Sequence, residues 1–253
     1  MLGAGALDEG EAVDGMGTVE CLTTIFSTKP TNLKMGEQGY PCVPYVIDGL
    51  FCTYILNYSC GSTINWFRKK IIHDYKGDKQ NFYSYIEKDM TTKPTGILSL
   101  PYFGGAATPY QDLNAKGAII NLTTETSDSN LYKSLMEGTA MEMRLNCNIV
   151  SEYSINIKKI VATGGCSNST TWMQVKADIQ NTNINILRSS EGGLCGCAML
   201  QSVALGSTNS LYDAKKIFVE YTKEFVPDLE NHMRYEQYYE KYKKLYNTLK
   251  EIF

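Results

Sequence analysis

Seven small and polar residues, Thr163-Gly164-Gly165-Cys166-Ser167-Asn168-Ser169, separate two apolar runs. Residues 157–162 before them are rich in β-branched side chains and read as a short buried strand. After them Trp172, Met173, Val175 and Ile179 recur at helical spacing, so the segment predicts strand, glycine turn, helix. Paired glycines let a flat ligand or a phosphate approach the backbone. The free N–H groups and dipole of a new helix favour an anion at the same place. The chemistry on offer is therefore binding of an anionic or planar ligand. A tight structural connection would use the same residues, and at this point both readings stand.

Bulk properties narrow the class. The 253 residues can bury one large core or two small ones, and 43% hydrophobic with 20% charged residues is an ordinary globular balance. A net charge of -3 argues against a nucleic-acid partner, and no stretch is long and apolar enough for a membrane partner. Eight cysteines are scattered at 21, 42, 52, 60, 147, 166, 195 and 197, with no zinc spacing, which reads as free thiols in a reducing cytoplasm. His73 and His232 stand apart from acidic or cysteine clusters, so no metal ligand is expected. Trp66 and Trp172 read as packing residues.

Around the glycine turn the elements alternate. Residues 10–26 predict two strands joined by a tight Gly-rich turn, with more strand at 42–47 and 50–56. Residues 62–72 predict a helix with Ile64, Phe67, Ile71 and Ile72 inward, and 81–90 a shorter one. An apolar strand at 97–101 leads into a Gly/Pro loop, and 118–122 resumes as strand. A long helix over 129–150, capped by Ser127, Asp128 or Ser129, places Leu131, Leu135, Met136, Ala140, Met143 and Cys147 inward. A strand at 183–187 and helices at 194–205 and 230–253 complete the chain. The last helix carries an apolar stripe of Tyr235, Tyr238, Tyr242, Leu245, Leu249 and Ile252. The class is α/β with antiparallel strands at the start.

Four ordered segments resemble the C-terminal domain of the FGGY carbohydrate kinases. They are Glu9-Gly10 through Asp14-Gly15-Met16-Gly17-Thr18, Gly61-Ser62-Thr63-Ile64-Asn65-Trp66-Phe67-Arg68, Leu100-Pro101-Tyr102-Phe103-Gly104-Gly105 through Gln111-Asp112, and the opening turn with its companion Glu191-Gly192-Gly193-Leu194. Leu135-Met136-Glu137-Gly138 fits the family's helix motif, and the tail looks most like xylulokinase-type pentulose kinases. The resemblance implies an actin-like ATPase, ribonuclease-H-like fold over residues 1–253: a mixed sheet flanked by helices, forming one of two lobes. It also implies ATP with Mg²⁺ in the cleft, and transfer of the γ-phosphate to a sugar hydroxyl, as in a pentulose such as xylulose.

Carried over by position, Gly17 and Thr18 would contact the β- and γ-phosphates. Gly61 and Asn65 would line the nucleotide near phosphates and ribose, and Gly164, Gly165, Cys166 and Ser169 would flank the adenine and its sugar. A turn glycine at 17 and a polar face position at 65 are the plain alternatives. Lys116 stands where the family usually has Arg, which removes a forked guanidinium there. The family's base is an aspartate in a Gly-x-x-Asp-Gln motif just before the hairpin. Neither Asp8 nor Asp14 matches it, so no catalytic residue is assigned.

The expectation is a fragment lacking the N-terminal sugar-binding lobe, binding ATP weakly or not at all alone and inactive on sugars. Its partners would be ATP and, through the other lobe, the sugar, with a homodimer left open. The rival readings are a non-catalytic actin-like nucleotide-binding module and a degenerate kinase paralogue.

Overall fold

The pattern switches between period two and period 3.6 along the chain, and the elements follow it. The computed structural model describes residues 1–253 except Asn32, His73, Asp74, Asp89 and Ser190. In order they are β1 (Glu11–Met16), β2 (Glu20–Phe26), α1 (Lys34–Glu37), β3 (Val43–Pro44), β4 (Phe51–Asn57), α2 (Gly61–Lys70), α3 (Lys79–Glu87), β5 (Leu98–Leu100) and β6 (Ala118–Ile120). Then follow α4 (Asp128–Ser151), β7 (Lys159–Thr163), α5 (Thr170–Gln180), β8 (Ile184–Leu187), α6 (Gly192–Ala204), α7 (Leu211–Phe218), β9 (Tyr221–Phe225) and α8 (Leu229–Leu249).

Among the described residues the main sheet has seven strands in the order β3-β4-β2-β1-β7-β8-β9, and β5-β6 form a separate pair. β1 runs antiparallel to β2 and parallel to β7, so the sheet is mixed. Alternation along the central strands sorts its two faces. Ala12, Met16, Leu22, Phe26, Ile160, Ala162 and Ile184 join the main core with residues of α2, α4 and α5. Val13, Ile25, Val161 and Leu187 face the opposite way, against Ala4 and Ala6. Helices α6 and α7 pack on the same N-terminal segment through Leu2, Leu7, Met199 and Ala214. Helix α8 closes a fourth cluster, with Tyr235, Tyr239 and Tyr242 against Leu98, Leu100 and Ala140.

The departures from the sequence expectation have local causes. The strand foreseen at 42–47 shrinks to Val43–Pro44, because Pro44 has no N–H and the chain turns through Tyr45 N–H to Leu50 O at 2.9 Å. Ile71 lies past the end of α2 and is 37% exposed, not inward. In α8 the buried face runs through Tyr239, and Ile252 falls in a terminal 3₁₀ turn and is exposed. Helix α7 and strand β9 were not foreseen. β9 is an edge strand whose Lys223 and Glu224 hide any alternation of apolar residues.

Candidate functional site

Met16 of β1 pairs with Glu20 of β2, which leaves Gly17, Thr18 and Val19 to make the turn. The Gly17 N–H donates to the Val19 carbonyl at 3.0 Å and closes it. The Gly17 carbonyl then accepts from the Gly61 N–H at 3.0 Å, and the Thr18 carbonyl accepts from Cys60 and Ser62 at 3.3 and 3.1 Å. These are donors that the first turn of α2 cannot satisfy within its own helix. The hairpin satisfies them and clamps α2 to the turn, leaving Gly17 and Thr18 themselves exposed.

β7 lies beside β1 with Thr163 opposite Gly15, so the residues after β7 come up against Met16. Gly164 has φ +97°, and a Cβ there would stand 2.6 Å from the Met16 carbonyl oxygen. Both the dihedral and the space demand glycine. A short 3₁₀ turn over Gly165–Asn168 follows, and Ser169 caps α5 by accepting from the Trp172 N–H at 3.2 Å. The Cys166 thiol reaches the Gly17 carbonyl at 3.8 Å, across the space between the two turns.

These pieces enclose a cleft of about 970 Å³. Seven of the expected site residues line it: Gly17, Thr18, Gly61, Asn65, Gly165, Cys166 and Ser169. Gly164 sits behind the wall and sets the approach of the turn to β1. Trp172 is buried in the core and also backs the cleft, and Trp66 packs on Phe103 at 4.8 Å between ring centres.

Sequence reasoning missed part of the cleft lining, Arg68 of α2 with Tyr83 and Glu87 of α3. Arg68 donates to Asn65 Oδ1 at 3.3 Å. Glu87 accepts from the Ser169 hydroxyl at 2.9 Å, and burial raises its carboxyl pKa against the pull of the Ser169 and Thr171 hydroxyls. α3 carries no glycine signature, and only its amphipathic spacing was readable.

A second miss is a buried charge cluster beneath the hairpin. Asp14, Glu20 and Lys176 are fully buried, and the Lys176 ammonium bridges both carboxylates. Burial pushes Glu20 up to about 8 despite Lys176. Burial alone would lower Lys176, but Asp14 and Glu20 outweigh it and hold it raised. Alternation held the clue, since Asp14 and Glu20 share a strand face with Ala12, Met16 and Leu22.

The remaining expected residues lie elsewhere. Asp8 is exposed and accepts from the Tyr212 hydroxyl at 2.9 Å. His232 contacts the Asp178 carbonyl at 2.8 Å and Glu236 at 3.1 Å, between α5 and α8; His73 lies outside the described residues. Lys116 is exposed. The loop after β5 serves packing: Thr108 bridges the backbone of Leu56, and Asp112 accepts from Tyr246. Among the described residues no group of three or more His, Cys, Asp or Glu could hold a metal, and no helix is long and apolar enough to cross a membrane.

A mixed sheet with its hairpin, glycine turn and helix start gathered on one cleft is an actin-like ATPase fold. Residues 16–205 match the C-terminal domain of the FGGY family of carbohydrate kinases, and the chain belongs to that family. It is 24% identical over 257 residues to the xylulose kinase of Staphylococcus epidermidis, covering 99% of this chain and 49% of that relative. It is 27% identical over 263 residues to the ribulokinase of Anoxybacillus flavithermus, covering 97% and 45%. The chain thus spans about half the length of the curated relatives it matches. Among solved structures, the xylulose kinase from Rhodospirillum rubrum superposes with a TM-score of 0.86 at 20% identity, over 99% of this chain and 49% of that one. The Plasmodium falciparum glycerol kinase with ADP gives 0.81 at 23%, over 98% and 49%. Both share the fold.

Proposed function

We propose that this chain is the ATP-binding lobe of a sugar kinase, in which the γ-phosphate passes to a sugar hydroxyl, with a pentulose such as xylulose as the acceptor. The observation that carries the reading is the convergence of Gly17, Thr18, Gly61, Asn65, Gly165, Cys166 and Ser169 on one cleft from three separate stretches of sequence. That a fold neighbour was solved with ADP agrees with a nucleotide there.

The cleft suits such a ligand. Its volume accommodates a nucleotide, and beyond Gly165 there is open space where a side chain would otherwise project. At the hairpin, the Gly17 N–H is engaged within the turn, so the Thr18 N–H and hydroxyl are the groups that would donate to the phosphates. Mg²⁺ would neutralise charge on the phosphate oxygens. Around the cleft this chain offers the Thr18 hydroxyl and one lining carboxylate, Glu87. Asp14 is locked against Lys176 and cannot serve as the base for the sugar hydroxyl. In this reading that base and the sugar contacts come from the other lobe of the parent enzyme, and the isolated chain does not phosphorylate sugars.

Calorimetric titration tests the nucleotide site. Mg-ATP should bind saturably, even if only in the millimolar range, about −4 kcal/mol. Thr18→Val, which keeps the shape and removes the hydroxyl, should weaken ATP by roughly tenfold and leave AMP unchanged. No saturable binding of Mg-ATP would refute the nucleotide reading. Equal losses for ATP and AMP would take the hairpin out of phosphate binding.

A further inference from the structure

Two thiols meet where the first turn of α2 lies against the glycine turn. Cys60 opens α2 and is shut away from water, its N–H donating to the Thr18 carbonyl at 3.3 Å. Cys166 arrives from far along the chain, in the 3₁₀ turn after β7, and lines the cleft. A Cβ on Gly61 would stand 3.1 Å from the Cys166 sulfur and 2.6 Å from the Gly17 carbonyl oxygen. Glycine beside Cys60 is therefore what lets the second thiol settle on the start of α2. The two thiols are hydrogen-bonded to each other, and the Cys166 thiol also reaches the Gly17 carbonyl at 3.8 Å. Backbone bonds hold both residues: the Ile64 N–H donates to the Cys60 carbonyl at 3.4 Å, and the Ser169 N–H to the Cys166 carbonyl at 3.2 Å.

Their surroundings divide the chemistry between them. The bond to Cys166, then burial, then the charge of Glu20 push the Cys60 thiol well up. A buried thiol kept protonated does not attack an oxidant by itself. Cys166 is half-buried and opens on the cleft, where a small solute can reach it. Other cysteines close in sequence or space lack this arrangement. Cys195 and Cys197 are two apart on α6, a spacing that does not bring side chains face to face. Across β3 and β4 it is Val43, not Cys42, that lies opposite Cys52.

We propose that Cys60 and Cys166 form a reversible dithiol–disulfide site whose oxidant is a hydroperoxide, with Cys166 as the attacking thiol and Cys60 as the resolving one. Cys166, as thiolate, attacks one oxygen of hydrogen peroxide. The O–O bond breaks, the departing hydroxide takes up the thiol's proton and leaves as water, and a sulfenic acid remains on Cys166. The Cys60 sulfur then attacks the Cys166 sulfur. The S–O bond breaks, the departing hydroxide takes the Cys60 proton, and a second water leaves. The two thiols together lose two electrons, and one peroxide gains them. The new bond fastens α2 to the glycine turn, two walls of the cleft that otherwise meet through the hairpin carbonyls. The site stands on the geometry of those walls and is independent of the nucleotide reading.

The test treats the full chain with hydrogen peroxide, blocks the remaining thiols with N-ethylmaleimide in urea and maps the peptides by tandem mass spectrometry. Cys60 should be found joined to Cys166, lighter by two hydrogens and reopened by dithiothreitol, with any other cysteine pair about tenfold scarcer or less. Cys60→Ser removes the resolving thiol, so dimedone should capture the sulfenic acid at Cys166 on the order of tenfold more than in the native chain. Cys166→Ser should leave Cys60 unoxidised. Thiols still intact at a peroxide dose that has already oxidised the exposed Met233 overturn the inference. So does oxidation of Cys166 without linkage, or its linkage to a different cysteine. Dimedone on Cys60 in Cys166→Ser would overturn the assignment of the two roles. Mapping of the native chain decides the linkage whether or not either variant folds.

Discussion

Lys176 faces two carboxylates with one positive charge, and all three groups are shut away from water. Two carboxylates and one ammonium leave the cluster one proton short of neutrality, and burial resolves this by raising Glu20 to about 8 from an ordinary 4.5. The sign for stability follows. Between those two values folded Glu20 holds a proton that the unfolded chain has released, so stability is greatest at the acid end and falls as pH rises toward 8. The slope contributed by this group reaches at most about 1.4 kcal/mol per pH unit. Urea unfolding of the native chain and of Glu20→Gln across that range should show the variant with the flatter profile, and parallel profiles would refute a protonated Glu20. Lys176→Met removes the shared partner and should cost about 3–5 kcal/mol at neutral pH. At this scale the sequence was legible where a motif named the residue, as at Gly17, Asn65 and Ser169. It was not legible where a side chain matters through a neighbour distant in the chain, as at Lys176, which reads in isolation as one more helix lysine.

Elements were easier to read than the contacts between them. Helices α4 and α5 were visible from their periodicity, and Ser127 caps α4 by accepting from the Asn130 N–H at 3.2 Å. The motif Leu135-Met136-Glu137-Gly138 could be recognised, but its purpose needed β5. A Cβ on Gly138 would lie 2.3 Å from the Ser99 carbonyl oxygen, so glycine is what lets α4 rest directly on the backbone of β5. Neither element can retreat freely. The same helix offers buried Glu137 and Glu142 to the Tyr235 and Tyr242 hydroxyls of α8, and Glu142 also accepts from Tyr102. Gly138→Ala should therefore destabilise by about 1–3 kcal/mol or more, lowering the urea midpoint without changing the slope. A midpoint equal to that of the native chain would mean that α4 and β5 can separate at no cost. The same limit explains why α8 was predicted as a helix with its face slightly misjudged. Periodicity admits Tyr238 or Tyr239, and the bond from Asn148 to the Tyr239 hydroxyl at 2.8 Å selects the latter.

For the whole molecule, the cleft is where parts far apart in sequence meet: the β1–β2 hairpin, α2, α3 and the turn into α5. A ligand lodged there acts as a tether between them and stabilises the folded chain by mass action. At ten times its dissociation constant Mg-ATP should contribute about 1.4 kcal/mol, a rise in melting temperature of roughly 3–6 °C for a chain of this size. The distribution of that stabilisation is more telling than its size. The hairpin carbonyls already hold α2, and Gly164 already seats the glycine turn against Met16, so a nucleotide that also touches Thr18, Asn65 and Ser169 closes a loop of contacts. Amide exchange should slow together over residues 17–19, 61–68, 83–87 and 164–172, with α6 and α7 unaffected on the opposite face of the sheet. Slowing confined to one of these segments would describe a ligand resting on a single wall. Slowing at α6 and α7 would place the ligand outside this cleft altogether.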